Sequence, residues 1–412
     1  MELLLNSRRL ALFALLIAAV SLLVISTSDA SASGQAKVRA AVSLGKGPAG
    51  AGKCAKLAAS RARVAAKRAA SPAAARRVSR KVRARALRSC LLREKQNRRV
   101  KPAVPPTLVG GDLVVGIDGG YTGWSDEEIE ERSELDAAIT RHEWDPSEPV
   151  DEQDDVMEEA FGEIHTKIHA LLGGNQLGDP NHYREWVIEF IRYYGVGGSF
   201  WDDHPELNES QFAITSIELG NEPYFGEMSA EEYAATVRPV LEEIKALALP
   251  VTVVLPSRVY GSNTSWMDTL YALIPNLNEL FDAFAEHPYW YGHEPASSGP
   301  AGPFGRIETT RLRMNEHGAN TKPIWITEYG ESTADCGEEC VGEETQALHL
   351  QQMLDAIATR TDWGVKMISV FQLQDRGTDS SDRERQFGLL REDGSEKPAY
   401  PIVESAMDTF RG

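Results

Sequence analysis

Between Leu113 and Val370 short apolar runs alternate with stretches of helical spacing, and this alternation constrains the fold more than any other feature. Eight strand-like centres stand near Val115 (Leu113–Ile117), Ala138 (Ala137–Thr140), Ala170 (Ile168–Leu172), Ile217 (Ile214–Leu219), Val253, Ala283, Trp325 and Ile368, spanning 253 residues. Between them Val156, Ala160, Phe161 and Ile164, then Tyr183, Val187 and Ile191, recur on one helical face. Eight β-α units in about 250 residues are the dimensions of a (β/α)8 TIM barrel. The competing fold, an open doubly wound sheet, usually has fewer strands and a Gly-rich first turn. Gly116-Ile-Asp-Gly-Gly120 follows the first strand without the GxGxxG order, which speaks against a dinucleotide site.

Charge divides the chain. The net charge of −18 combines 21 Lys or Arg against the single acid Glu94 between Lys37 and Lys101 with 20 basic and 58 acidic residues from Pro102 onward. The chain starts with Arg8 and Arg9, an apolar run from Leu10 to Ile25 and the small-residue pattern Ala30-Ser31-Ala32, the layout of an export signal. That run is short for a membrane span, so cleavage is favoured over retention as an anchor. The expected organisation is a signal peptide or signal anchor over 1–32, a basic Ala/Arg-rich arm, helical or disordered, over 33–101, a Pro-rich linker over 102–109 and the barrel over 110–412. Secretion or extracytoplasmic location follows, with an uncleaved segment as the route to membrane anchoring. Within the arm, Gly47 to Cys54 nearly spells a phosphate loop, but Cys54 replaces the hydroxyl that would hold magnesium. Cys336 and Cys340, four apart, suit a local disulfide in an oxidising compartment; Cys54 and Cys90 are candidates for a second.

In such a barrel the chemistry sits in the loops at the carboxyl ends of the strands. Strand four ends in Asn221-Glu222-Pro223 and strand seven in Glu328-Tyr329-Gly330, so a glutamate stands at each. Their separation of 106 residues is close to three β-α units, which puts them across the mouth from one another. Two carboxylates facing over a cleft are what glycoside hydrolysis needs: one protonates the departing oxygen and the other attacks the anomeric carbon. In a body with 58 acids a glutamate near one strand end is common; two at this spacing, each after an apolar strand, are far more specific.

Ile217-Glu-Leu-Gly-Asn-Glu-Pro223, His287-Pro-Tyr289 and Trp325-Ile-Thr-Glu-Tyr-Gly330 resemble the strand-four, strand-six and strand-seven signatures of clan A glycoside hydrolases, and most resemble family 5, the cellulase family, over roughly residues 110–400. The resemblance implies a retaining double displacement with Glu222 as acid/base and Glu328 as nucleophile. It makes Asn221 the partner of the sugar 2-hydroxyl, Tyr289 a donor to the nucleophile, Arg141 the arginine whose charge favours the nucleophile's carboxylate, and His287 a residue lining the reacting subsite. The competing readings are a surface ion pair with acidic neighbours for Arg141 and a buried, hydrogen-bonded histidine for His287.

Strand eight departs from the pattern. The clan commonly ends it in a tryptophan under the reacting sugar, whereas this chain has Phe371-Gln372, leaving Phe371 as a smaller stacking surface or Gln372 as a direct contact. Among Trp124, Trp144, Trp201, Trp266, Trp290 and Tyr291, the two beside Arg141 and Tyr289, Trp144 and Trp290, are the expected sugar platforms. No GxSxG elbow is present, and His165 and His169, flanking the expected start of strand three, lack the glutamate of HExxH because Thr166 stands in its place. The reading is a secreted, endoglucanase-like retaining β-glycosidase acting on β-glucans or related polysaccharides, which works without metal or cofactor, as a monomer, with a carbohydrate substrate. The arm is expected to meet an anionic cell-wall polymer or membrane surface rather than nucleic acid. The alternative is a catalytically silent, glycan-binding barrel tethered to the cell surface by that arm.

Overall fold

The computed structural model describes residues 113–120, 123–225, 228–258, 265–289, 291–296, 299 and 302–412. The export signal, the basic arm, the linker, Cys54, Cys90 and Trp290 lie outside these residues.

Eight parallel strands close into a barrel in the order β1 to β8, with β1 paired to β8. They are β1 (Val114–Asp118), β2 (Ile139–Trp144), β3 (Lys167–Leu172), β4 (Ser216–Leu219), β5 (Thr252–Pro256), β6 (Ala283–Glu286), β7 (Ile324–Tyr329) and β8 (Val365–Val370). A principal helix follows each: α1 (Asp126–Leu135), α2 (Asp154–Glu159), α3 (Pro180–Tyr194), α4 (Ala230–Leu247), α5 (Ser265–Leu273), α6 (Pro303–Glu316), α7 (Glu343–Thr359) and α8 (Tyr400–Thr409).

Local chemistry sets the helix starts. Ser125 with Glu128 and Ser229 with Glu232 form reciprocal capping boxes at α1 and α4. Asp179 caps α3 ahead of Pro180, whose missing N–H costs nothing in the first turn. Each long helix then turns an apolar stripe inward; α3 buries Tyr183, Val187 and Ile191, and α4 buries Tyr233, Val237 and Leu241.

The strand boundaries differ from the sequence expectation most at β2, which continues through the polar residues Arg141, His142 and Glu143 to Trp144. Barrel geometry explains the extension. Alternate β2 residues face the interior, and near the mouth that interior is a polar site rather than an apolar core. Deeper inside, the small side chains of Ala283 and Ala285 with Val254 leave room for the indole of Trp325. His169, within β3 rather than before it, meets that indole edge-on at 5.1 Å.

Candidate active site

Strand β4 ends in a tight turn that aims two side chains over the mouth. Gly220 adopts φ +88°, where a Cβ would crowd Leu177, and the amide of Asn221 donates to the carbonyl of Gly173 at 3.0 Å. Glu222 itself lies in the left-handed region at φ 43°, a conformation that costs a non-glycine residue on the order of 1–3 kcal/mol and is held by its surroundings. The turn closes with the amide of Phe225 donating to the Glu222 carbonyl at 2.8 Å.

Across the barrel, β7 carries a register irregularity between Ile326 and Tyr329, and Glu328 sits inside it. The next residue but one must be glycine, because a Cβ on Gly330 would collide with the carbonyl of Phe371 at the end of β8. Both oxygens of Glu328 are occupied. Arg141 Nη1 donates to Oε1 at 2.7 Å and the Tyr289 hydroxyl donates to Oε2 at 3.2 Å. Burial, reinforced by the charge of Glu328, pushes the Tyr289 phenol well above its ordinary range, so it remains a donor.

Arg141 joins three strands. Its Nε donates to Glu218 at 2.9 Å, Nη1 reaches Asp118 at 3.2 Å as well as Glu328, and Nη2 donates to the Asn221 side-chain oxygen at 3.0 Å. Burial alone would lower its pKa, but Glu218, Glu328 and Asp118 together hold the guanidinium well above its usual value. The surface ion pair that sequence left open for Arg141 is therefore excluded: the side chain is buried and its partners line the mouth.

His287 contacts both ends of the site. Its Nδ1 lies 3.0 Å from Glu222 Oε1 and 3.6 Å from Glu328 Oε2, while Nε2 lies 2.9 Å from the Thr327 hydroxyl. Burial pulls the imidazole down, yet Glu328 and Glu222 outweigh it and raise His287 to about 9. Glu222 and Glu328 thus share one neighbour, and Arg141, Asn221, His287 and Tyr289 surround them.

Sequence reading missed Asp118, Glu218, His169 and Thr327. Glu218 is fully buried, with Arg141, His169 and Thr327 around it. Burial would raise its pKa, but Arg141 and His169 hold it well below the carboxylate range. The signal in the chain was a charged residue in the middle of an apolar strand, Ile217-Glu218-Leu219, since an unpaired charge does not survive there.

Other expected residues fall elsewhere. Trp144 is not a sugar platform: it is 1% exposed and packs against Phe190 and Tyr194. Its parity on β2 is opposite to that of Arg141, so it faces the helical layer. Trp124, Trp201 and Trp266 are buried as well. Phe371 is half-buried, its ring edge-on to Phe387 at 5.3 Å. Gln372 is buried, and its Nε2 has no hydrogen-bond acceptor among the described residues. Tyr291 stacks on Tyr289 at 5.4 Å and carries the Arg383 guanidinium 4.0 Å above its ring.

Cys336 and Cys340 are bonded to each other in the loop after β7. Arg383 pairs with Glu339 of that loop at 2.9 Å, and Gly292 (φ +75°) lies so close to the Glu338 carbonyl that a Cβ would collide with it. The disulfide loop therefore backs the segment carrying Tyr289 and Tyr291. Beyond Arg141, Glu143 lines a cavity of about 760 Å³ with Gly123, Asp145, Glu148, Glu152 and Asp155 among its walls. Burial pushes Glu143 up to about 7, with Arg141 opposing the shift. Among the described residues no group of three or more His, Cys, Asp or Glu is placed to hold a metal ion, and no helix is long and apolar enough to cross a membrane.

No protein-family model matches the chain, and no curated protein matches it in sequence. Its fold is similar to that of a family 39 glycoside hydrolase from Bacteroides cellulosilyticus WH2, at 16% identity and TM-score 0.55, over 75% of this chain and 65% of that one. A glucosidase from Croceicoccus marinus matches at 13% identity and TM-score 0.53, over 73% of this chain and 68% of the other. A family 51 α-L-arabinofuranosidase from Bifidobacterium longum matches at 15% identity and TM-score 0.52, over 75% of each. The likeness establishes the (β/α)8 barrel fold and adds nothing specific to family 5.

Proposed function

We propose that the chain is a retaining glycoside hydrolase that cleaves β-linked O-glycosidic bonds by double displacement. The observation that carries this reading is the shared neighbour of the two glutamates. One nitrogen of His287 lies 3.0 Å from a Glu222 oxygen and 3.6 Å from a Glu328 oxygen. The gap between those oxygens cannot exceed the sum of the two distances, reached only if the three atoms are collinear. That favours the close pair of a retaining enzyme, about 5 to 5.5 Å apart, over the separation of about 6.5 to 9.5 Å that leaves room for an interposed water.

Glu328, with Arg141 and Tyr289 donating to it, is the nucleophile that forms the glycosyl-enzyme. Glu222 first protonates the departing oxygen and then takes a proton from the attacking water. Asn221, oriented by Arg141, offers its amide to the sugar 2-hydroxyl. The substrate class we propose is a β-glucan or related polysaccharide, the substrates of an endoglucanase-like enzyme. Release of reducing sugar or aryl alcohol from a panel of β-glycosides, with retained anomeric configuration by proton NMR, tests the reading. Inversion, or undiminished turnover by Glu328→Gln, overturns it.

We further propose that the export signal delivers the protein outside the cytoplasm and that the basic arm tethers it to anionic cell-wall polymer or membrane lipid there. The excess of positive charge in the arm supports this, because such binding is electrostatic and weakens as salt shortens the Debye length. Cosedimentation of the full chain and of a fragment starting at Thr107 with cell-wall fragments and anionic vesicles, from low to high salt, tests it. Equal sedimentation of both forms overturns it.

A further inference from the structure

Glu222 and Glu328 are joined by a buried chain of hydrogen bonds running beneath the mouth. The Thr327 hydroxyl lies 3.1 Å from Glu218 Oε1 and 2.9 Å from His287 Nε2. Glu218 also accepts from Arg141, which donates to Glu328. A carboxylate beside a guanidinium can only accept, so the single hydrogen of the Thr327 hydroxyl points to Glu218. The hydroxyl oxygen must then accept from His287, which requires the proton on Nε2. With Nε2 committed, Nδ1 is the nitrogen that can gain or lose a proton, and Nδ1 is the one facing Glu222.

We propose that Glu218 and Thr327 are positioning residues that fix the His287 tautomer and make its Nδ1 the proton partner of Glu222. This rests on the glycosidase reading for its catalytic meaning, though not for the tautomer itself. The protons balance. An imidazolium at His287 passes the Nδ1 proton to the Glu222 carboxylate, leaving neutral imidazole protonated on Nε2 and a carboxylic acid able to protonate the leaving oxygen. After the leaving group has taken that proton, water attacking the glycosyl-enzyme returns one to Glu222, and the pair is restored.

The charges around His287 suit this exchange. Glu218 faces it from β4 and Glu222 from the turn that follows, Glu328 from β7, Glu286 precedes it on β6, and Arg141 from β2 opposes them. The Tyr289 phenol stays neutral. The arrangement parallels other sites in which the partner of one ring nitrogen decides what the other can do.

The test uses the whole protein labelled with ¹⁵N, the His287 signals being assigned by their loss in His287→Gln. The expected wild-type spectrum shows Nε2 protonated throughout and Nδ1 titrating. Thr327→Val removes the hydroxyl at nearly constant volume. It should lower the basic limb of the kcat/KM profile by about one pH unit, because the imidazolium loses an acceptor. It should also reduce kcat by roughly 10- to 100-fold, as loss of a supporting hydrogen bond commonly does, with KM little changed. Thr327→Ser should bring the limb back. An Nε2 without its proton at neutral pH, or a basic limb unmoved in Thr327→Val while circular dichroism shows a native fold, overturns the proposal. If wild type hydrolyses no glycoside, the spectrum still decides the tautomer, and the glycosidase reading fails separately.

Discussion

Arg141 Nη1 reaches Glu328 Oε1 across the barrel mouth at 2.7 Å, joining residues 187 apart in the chain. The same guanidinium satisfies Glu218, Asp118 and Asn221, so all three nitrogens of its planar fork are engaged. Lysine keeps the charge but offers one nitrogen. Arg141→Lys should therefore lower kcat steeply and reduce the melting temperature. Stranding buried carboxylates costs up to about 3–5 kcal/mol when a pair is broken outright. Steady-state kinetics with differential scanning calorimetry checks both, and wild-type behaviour in the lysine variant would refute the role.

The two glutamates should respond differently to the leaving group. An activated dinitrophenyl group departs without protonation, so Glu222→Ala should keep measurable first-step turnover on a dinitrophenyl glycoside and lose most of its activity on alkyl or sugar leaving groups. Glu328→Ala should be nearly inactive on all of them. Pre-steady-state release of dinitrophenolate distinguishes the outcomes; equal losses for both variants on every substrate would sink the assignment.

Stability should fall on the alkaline side. His287 is raised from 6.5 to about 9, so its stabilising contribution is complete below pH 6.5 and lost as pH rises through about 9. Each tenfold gain in proton affinity on folding corresponds to about 1.36 kcal/mol, so that contribution is roughly 3 kcal/mol at most. Glu143, raised from 4.5 to about 7, acts in the same direction: the buried acid folds without penalty when protonated and is penalised as it ionises. Melting temperature measured from pH 5 to 10 should decline, and His287→Gln should flatten the part between pH 6.5 and 9. An unchanged slope in that variant would contradict the raised proton affinity of His287.

Reduction of the Cys336–Cys340 bond should alter the rim more than the fold. Closing so small a loop is worth about 2 kcal/mol, a few degrees in melting temperature for a barrel of this size. Gly292→Ala, which drives a Cβ into the Glu338 carbonyl, should displace Tyr291 from its stack on Tyr289, whose hydroxyl donates to Glu328, and so lower kcat along with a modest fall in melting temperature. Alkylation mass spectrometry and kinetics on a polysaccharide test both; a free thiol in the unreduced protein would exclude the bridge.

The cavity beside Glu143 should repel anionic sugars. Asp145, Glu148, Glu152 and Asp155 share its walls, and like charges raise the cost of bringing a carboxylated or sulfated unit near. Neutral glycans should have kcat/KM above that of their uronate counterparts, and the gap should narrow at high salt. A preference for uronates would exclude the cavity as a sugar subsite.

All eight strands and their parallel order were legible in the chain, because burial on both faces writes most strands as apolar runs and each helix as a stripe, although β2 was marked only by its first residues. Glu222 and Glu328 were legible for a related reason: the strand carboxyl ends are the one place in a barrel where polar residues gather by construction. Tertiary structure decided the rest. Whether Trp144 meets sugar or core depended on its parity along β2, and that strand ends four residues beyond Thr140, where its apolar signal stops. The network through Asp118, Glu218 and Thr327 joins strands far apart in the chain, and no local pattern encodes a hydrogen bond closed only when β8 returns to β1. A single charged residue in an apolar strand shows that a partner must exist; only the closed barrel determines that for Glu218 it is Arg141.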